Sequence, residues 1–595
     1  MQTIKNTIDF HDSCENAEPW LEAGDLPYSF SISKTGVHKE SGKDKDEKHS
    51  ELICGPLWVA ARTRGTDGNN HGMLVKWLDR DGELHERCIK QSRLHDQSTA
   101  LAQDLADSGL HITPGKEGQL KTYLALSKPD LVLQSVERLG WSKDRQGKPA
   151  FVRPTKTITG AGATNERILF QPPSYSPAVA AMTEKGDLEG YIKDVIERIA
   201  DQPILLFSLF SSLSAPLLKN SATENGGFHI HGETTGGKTT GLQIAASVWG
   251  SGADPQRRPE DALCQTWNST ANGLEGIAAA HNDLPLCFDE IGKFIGDNFS
   301  EVVYNIIGGT GKARMTAEIA HRKPNTWRTL FLSTGEISIA DRIKQDGKKM
   351  KDGQAVRIVD IPVGDSLILG LDMKAAAELS DTLKNAVTDR NYGVLGPAFI
   401  KALLARCPDE ETLSREIADL VLSAMELLKA QIKGEIPQRA VRVLKRFALV
   451  LATGYLAQDL LELPLSQKQI EKCVVHVMNL WLGNGTALIS EADQAIEHFQ
   501  AFLQENQHRF AEGNPVGGPA QLSRTDIGYK LPGFLCLTKA GFTEACGSWG
   551  VEKVRGELLK RGFLTKTEPD RWETKVLLGG KQQRLYKVDI KILED

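Results

Sequence analysis

The sequence predicts a multidomain α/β protein whose centre is a sheet with helices on both faces, an αβα sandwich. Three observations carry that prediction. At 595 residues the chain is several times longer than one hydrophobic core usually supports. From Gly226 to Val363, short β-like runs alternate with helical stretches, the pattern of a sheet covered on both sides. Within that span a strand, Phe228-His229-Ile230-His231, runs straight into a glycine-rich loop and then into a helix.

Composition sets the outer limits. Hydrophobic residues make up 40% and charged residues 25% of the chain, ordinary proportions for a globular protein, and no apolar run is long enough to span a bilayer. Met1 to Asn16 is polar and has no apolar stretch of the kind that a secretion signal needs, so a cytoplasmic location is expected. The nine cysteines are scattered singly without a C-x-x-C pair, which indicates neither a disulfide framework nor a zinc cluster. A net charge of −6 argues against coating nucleic acid nonspecifically, so any DNA contact must be local.

Along the chain, Ser33 to Ser50 is rich in Lys, Asp, Glu, Ser and Gly and is expected to be a flexible linker within a flexible segment, residues 1–50. A small α+β domain follows over residues 51–175. Its strand is Leu52 to Ala60, its hairpin is Met73–Leu78 with Glu83–Ile89 around Asp79–Gly82, and its helices lie at Ser98–Ser108 and Leu120–Ser127. Apolar residues at helical spacing from 186 to 218 lead into the central domain, residues 176–370. Residues 371–510 read as a helical region. Residues 511–595 mix a helix, Val551 to Arg561, with strand-like pieces that suit a winged helix.

The loop after the first central strand is Gly232-Glu233-Thr234-Thr235-Gly236-Gly237-Lys238-Thr239, the G-x-x-x-x-G-K-T order of a phosphate-binding P-loop, with Thr240 opening the helix. Its glycines let successive N–H groups converge on a phosphate, and the helix N-terminus adds partial positive charge. Lys238 would reach the β- and γ-phosphates of ATP, and the Thr239 hydroxyl would hold Mg²⁺. Downstream, Leu284-Pro285-Leu286-Cys287-Phe288 ends in Asp289-Glu290. Asp289 suits the Mg²⁺ shell, and Glu290 suits the general base that polarises water. A third strand, Thr329 to Thr334, ends in hydroxyls, and in AAA+ ATPases the strand beside the acidic pair presents a polar sensor towards the γ-phosphate. Ser333 and Thr334 both fit. The consecutive acidic pair suits hydrolysis by water better than transfer to a bound acceptor, which disfavours a small-molecule kinase.

Four stretches in order, G-F-H-I-H-G-E-T-T-G-G-K-T-T, N-G-L-E-G-I-A-A-A-H-N-D-L-P-L-C-F-D-E-I, W-R-T-L-F-L-S-T-G-E and G-Q-A-V-R-I-V-D-I-P, resemble the bacterial family known as domain of unknown function nine-two-seven. That family is similar to cassette-borne replicative helicases that look like minichromosome maintenance (MCM) helicases. The resemblance covers roughly residues 50 to 490. It implies an AAA+ ATPase core with a helical lid, a homohexameric ring with ATP between subunits, and a trans-acting arginine after the sensor strand. Arg357 matches that position, with Arg342 as the alternative. Arg439, Arg442 and Arg446 share one helix face, and Arg442 is the favoured second sensor.

Between the acidic and sensor strands, Lys312 to Ala320 and Trp327 to Ser333 read as a β-hairpin with a basic tip containing His321, Arg322 and Lys323. MCM-like helicases carry a DNA-gripping hairpin here, and five Lys or Arg against one acid from Lys312 to Arg328 suit phosphates. The expectation is therefore an ATP-dependent, ring-forming DNA helicase of a mobile genetic element, acting on single-stranded or forked DNA, with a primase or loader as a further partner. The alternative is an AAA+ initiator or loader that hydrolyses ATP without unwinding DNA itself. In residues 521–595, fourteen basic against ten acidic residues leave DNA binding and protein docking both open.

Overall fold

A computed structural model describes residues 26–41, 49–160, 168–172, 176–232, 237–296, 298–312, 314–315, 321–322, 324–347, 356–364, 366–433, 436–483, 491–514 and 522–593. The chain divides into two compact units. One comprises Met1–Lys433 with Arg442–Trp481, and the other Gly434–Val441 with Leu482–Asp595. Among the described residues no helix is long and apolar enough to cross a membrane.

The first unit begins with a three-stranded antiparallel sheet of Phe30–Ser33, Gly36–Ser41 and His49–Cys54. Part of the stretch expected to be a linker is thus a strand. Val37 supplies the apolar anchor: it is fully buried in a cluster with Phe30, Ile53 and Tyr123, which local composition could not reveal because its partners are distant in sequence. Residues 42–48 lie outside the described ones. A five-stranded sheet follows in the order Ile168–Phe170, Val132–Val136, Leu57–Gly65, Gly72–Leu78, Leu84–Lys90. Its Leu78↔Leu84 pairing closes the hairpin around Asp79–Gly82 that the turn residues predicted.

The central sheet has five strands, all parallel, in the order Gln265–Thr266, Leu286–Asp289, Leu330–Gly335, Gly226–His231, Ile358–Pro362. The middle strands are almost continuously buried, as β-branched and aromatic runs must be when helices cover both faces. The hydroxyl-bearing Leu330–Gly335 strand therefore lies between the P-loop strand and the acidic strand. All C-terminal strand ends point the same way, and that is where parallel α/β sheets place their ligands. Behind the P-loop strand, Phe228 packs edge-on to Phe207 of helix Pro203–Ser214 (4.8 Å) and against Phe447 of helix Gln438–Leu461 (5.1 Å).

A buried joint ties this sheet to the preceding domain. Asp283 is fully buried with φ +58° and accepts from Arg328 Nε (2.7 Å), Arg328 Nη2 (2.9 Å) and the Trp141 backbone N–H (3.0 Å). Asn282 donates to the Leu139 carbonyl (2.7 Å) beside it. Four neutral or cationic donors thus compensate one buried carboxylate, counting Asn282 Nδ2 at 2.9 Å.

The second unit has its own core, in which Ala495, Ile496, Phe499 and Leu503 of helix Glu491–Glu505 pack with Phe542, Leu558 and Val588. That helix carries the periodicity of the helical region and was expected to end it. Its apolar stripe instead belongs with the C-terminal module, so the compact unit starts well before residue 511.

Candidate functional site

The P-loop strand ends at His231, Gly232 turns, and helix Lys238–Ser247 begins after Gly237. Glu233, Thr234, Thr235 and Gly236 lie outside the described residues. Two glycines are required by geometry. A Cβ on Gly232 would sit 2.5 Å from the Val363 carbonyl oxygen, and Gly237 is left-handed at φ +91° as the helix cap. The first N–H groups of the helix are thereby left to face outwards at the sheet's C-terminal edge. Thr240 can offer only its backbone N–H there, because its hydroxyl is buried against Ser380 Oγ (2.6 Å).

Lys238 is 9% exposed and donates to the Gly232 carbonyl (2.5 Å), so its ammonium group lies at the end of the P-loop strand. Burial lowers its pKa from the ordinary lysine range, while the charges of Glu290, Glu336 and Asp289 pull it back up. Those three carboxylates therefore share the electrostatic neighbourhood of the P-loop lysine. Glu336 was not singled out in the sequence, and its position directly after the hydroxyl strand was the available signal.

Asp289, 3% exposed, is held on both oxygens: Thr334 Oγ1 donates to Oδ1 (2.7 Å) and Gln256 Nε2 to Oδ2 (3.3 Å). Gln256 sits in a turn with no motif, and nothing local marks it. Glu290 has φ +54°, an uncommon and strained conformation for a side chain of its size, and its Oε1 accepts from the Gly292 N–H (3.2 Å). The strain turns the glutamate out of the strand at the sheet edge while Asp289 stays within it. Hard oxygen donors from Asp289 and Thr239 beside a phosphate cradle fit Mg²⁺, which binds few protein ligands and takes the rest from phosphate and water.

The two candidate sensor hydroxyls point to opposite faces, as the period of two demands. Thr334 faces Asp289. Ser333 is fully buried on the other face, where it accepts from the Trp267 indole N–H (3.1 Å) and bonds His229 Nδ1 (2.9 Å). His229 Nε2 faces the Ile337 carbonyl (2.9 Å) and must carry the ring proton there, so the Ser333 hydroxyl donates to Nδ1. Burial pushes the His229 pKa down to about 3, and the relay stays neutral. Ser333 thus holds the fold, and Thr334 is the hydroxyl at the site. Thr334→Val is expected to loosen Asp289 and to lower any nucleotide turnover at this site roughly tenfold. Ser333→Ala should instead cost about 1–3 kcal/mol of stability with turnover nearly intact. Steady-state turnover and melting temperature of both variants separate the roles.

Arg357 precedes the Ile358–Pro362 strand, at the sheet end opposite the cradle and roughly 15–20 Å from it along the strand. It lies over the Tyr304 ring (5.7 Å) and near Glu224 (4.0 Å). Arg342 is held by Asp346 and by the rings of Phe294 and Phe299 (5.9 and 5.4 Å). Arg446 is 2% exposed and donates to the Val356 carbonyl (3.2 Å), also at the far end. Arg442, one turn earlier on that face, is exposed, and Arg439 lies one turn before it. Lys238, Asp289, Glu290 and Thr334 are thus gathered at one end of the sheet, while Arg357 and Arg446 lie at the other.

The hairpin is present with a different register. Arg314–Met315 pairs antiparallel with His321–Arg322, Thr310 bridges Thr326, and Trp327 N donates to the Gly309 carbonyl (2.9 Å). Every pairing is symmetric about position 318. His321 and Arg322 consequently lie on the returning strand and not at the tip, and Leu330–Gly335 belongs to the central sheet. Residues 316–320 and Lys323 lie outside the described residues, as do the side chains of Arg314, Met315, His321 and Arg322. The root is anchored: the buried Trp327 indole donates to the Ile306 carbonyl (2.7 Å), and Asn225, next to the P-loop strand, donates to the Trp327 carbonyl (3.0 Å).

With this geometry in place, comparison with known proteins is informative. Residues 30–326 match the family described as domain of unknown function DUF927. The match takes in the P-loop, the acidic pair and the hairpin. The fold resembles the solved structure of "SCCmec type IV Cch - active helicase" with a TM-score of 0.70 at 19% sequence identity, over 95% of this chain and 99% of that one. No curated protein sequence matches the chain. At that identity the likeness shows the fold, and it extends across both compact units.

Proposed function

We propose that this DUF927 protein is an ATP-hydrolysing DNA helicase of the MCM-like AAA+ type, working as a ring on single-stranded or forked DNA in the replication of a mobile element. The observation that carries the reading is the placement of the P-loop helix start with Lys238, the Asp289–Glu290 pair and Thr334 at the C-terminal ends of adjacent parallel strands, with Thr334 bonded to Asp289. The hydroxyl strand between the P-loop and acidic strands, the hairpin inserted before it, and the helicase-like fold support it.

In this reading Gly232, Gly237 and the first helical N–H groups bind the phosphates, with Glu233 to Gly236 completing the loop. Lys238 neutralises the β- and γ-phosphates. Mg²⁺, held by Thr239 and Asp289, would draw negative charge from the transferring phosphoryl group. Glu290 accepts the proton of the attacking water, and Thr334 keeps Asp289 in place. Arg357 is too far from its own cradle to act there, so it serves a neighbouring subunit, as a head-to-tail ring allows. Arg342 is already committed to Asp346 and two rings. Arg442, exposed at the same far end, would likewise reach a neighbour's nucleotide.

The hairpin, whose returning strand is His321–Arg322, grips the DNA backbone, with Lys323 as a further candidate contact. Its root contacts Asn225 and Arg328, which lead into the P-loop and hydroxyl strands at the sheet end opposite the cradle, so these two strands would connect hydrolysis to the DNA grip. Strand displacement on a forked substrate with ATP and Mg²⁺ tests this function. Unwinding by the intact chain supports it. DNA-stimulated ATP hydrolysis with no unwinding in either polarity would instead point to a loader.

A further inference from the structure

We infer that the second unit carries a separate binding surface for double-stranded DNA, formed by helix Val551–Lys560 and the hairpin Thr574–Leu578/Lys581–Asp589. This inference does not depend on the proposed motor, because its readout is duplex binding without nucleotide.

Charge is the first observation. From Trp549 to Asp589 there are ten Lys or Arg against six Asp or Glu, a local excess of +4 in a chain of net −6. Shape is the second. Val554 and Leu558 bury one face of the helix in the unit's core, while Glu552, Leu559 and Lys560 are exposed on the other. Gly556, within the helix, has open space around it. The hairpin reverses at Gly579-Gly580, with Leu578 paired to Lys581. It alternates strictly, with Thr574, Val576 and Leu578 inwards and Lys575 and Leu577 outwards. A 10-residue helix is an element that the major groove admits, and the ribbon could then follow the flanking backbone.

The third observation selects the partner. Trp572, between helix and ribbon, has Arg555 and Lys566 over its ring, each 4.5 Å from the centroid, and Lys553 lies over Trp549 (5.2 Å). Rings already engaged by cations are not open platforms for unstacked bases, which is how single strands are held. Lysine-rich faces are also depleted at protein interfaces. Phosphates of a duplex fit these observations, met by the exposed Lys560, Lys575 and Lys581 in exchange for the surface carboxylates Glu557 and Glu568 that pair the first two.

The test uses the full chain and a blunt duplex of about 20 base pairs, read by fluorescence anisotropy without nucleotide. The variant is Lys560→Glu/Lys575→Glu/Lys581→Glu, three exposed positions outside the tryptophan contacts. Duplex affinity should fall about tenfold or more, and the slope of log affinity against log salt should flatten by about 2–3. Affinity for a thymidine homopolymer and ATPase activity without DNA should be unchanged, and an unchanged melting temperature confirms folding. Duplex binding equal to the unsubstituted chain's, with the same salt slope, overturns the inference. So does parallel loss of duplex and single-strand binding, or an intact chain that ignores duplex, which would mark the face as protein-docking.

Discussion

Glu290→Gln is expected to leave ATP binding intact while cutting hydrolysis by about 10²–10⁴-fold, with loss of unwinding to match. The amide keeps the size and the Gly292 N–H contact of the carboxylate but cannot take a proton. The strained backbone at φ +54° should persist, because it is set by the strand end and the following turn and not by the charge. Nucleotide affinity, read with a fluorescent ATP analogue, should therefore match that of the unsubstituted chain or exceed it. Full hydrolysis by the variant would remove Glu290 from the chemistry.

Arg357→Ala should lower hydrolysis by about 10³–10⁵-fold if it completes a neighbour's site. Mixing gives the decisive result. Glu290→Gln subunits retain Arg357, and Arg357→Ala subunits retain the base. In a random mixture about a quarter of the interfaces regain both groups, so two inactive preparations should recover activity together. A role confined to the Glu224 and Tyr304 contacts would lower stability instead and give no recovery.

The local parts of the site were legible because their chemistry is contiguous. Gly232, Gly237, Lys238 and Thr239 form one uninterrupted motif, and Asp289-Glu290 end an apolar run, so each could be read from about ten neighbouring residues. What depended on pairing was harder to read. Ser333 and Thr334 were equivalent in sequence until the strand register put one against Asp289 and the other against His229 and Trp267. The hairpin tip was expected in the basic segment from His321 to Thr326, whereas the strand pairings 314–322 and 310–326 put His321, Arg322 and Thr326 on the returning arm. Gln256 reaches Asp289 across 33 positions, and Val37 finds its core through strands and helices further on. Such contacts leave no periodic trace. The arginines carried a motif position but no spatial information, and only the sheet direction separates Arg357 from its own cradle.

The central claim is that ATP sits between Lys238 and the Asp289–Glu290 pair. A structure of the Glu290→Gln chain with ATP and Mg²⁺ tests it most directly. The γ-phosphate is expected against the Lys238 ammonium, with the metal on Asp289 and Thr239. Nucleotide bound elsewhere, or Asp289 turned to the opposite face of the sheet, would contradict it.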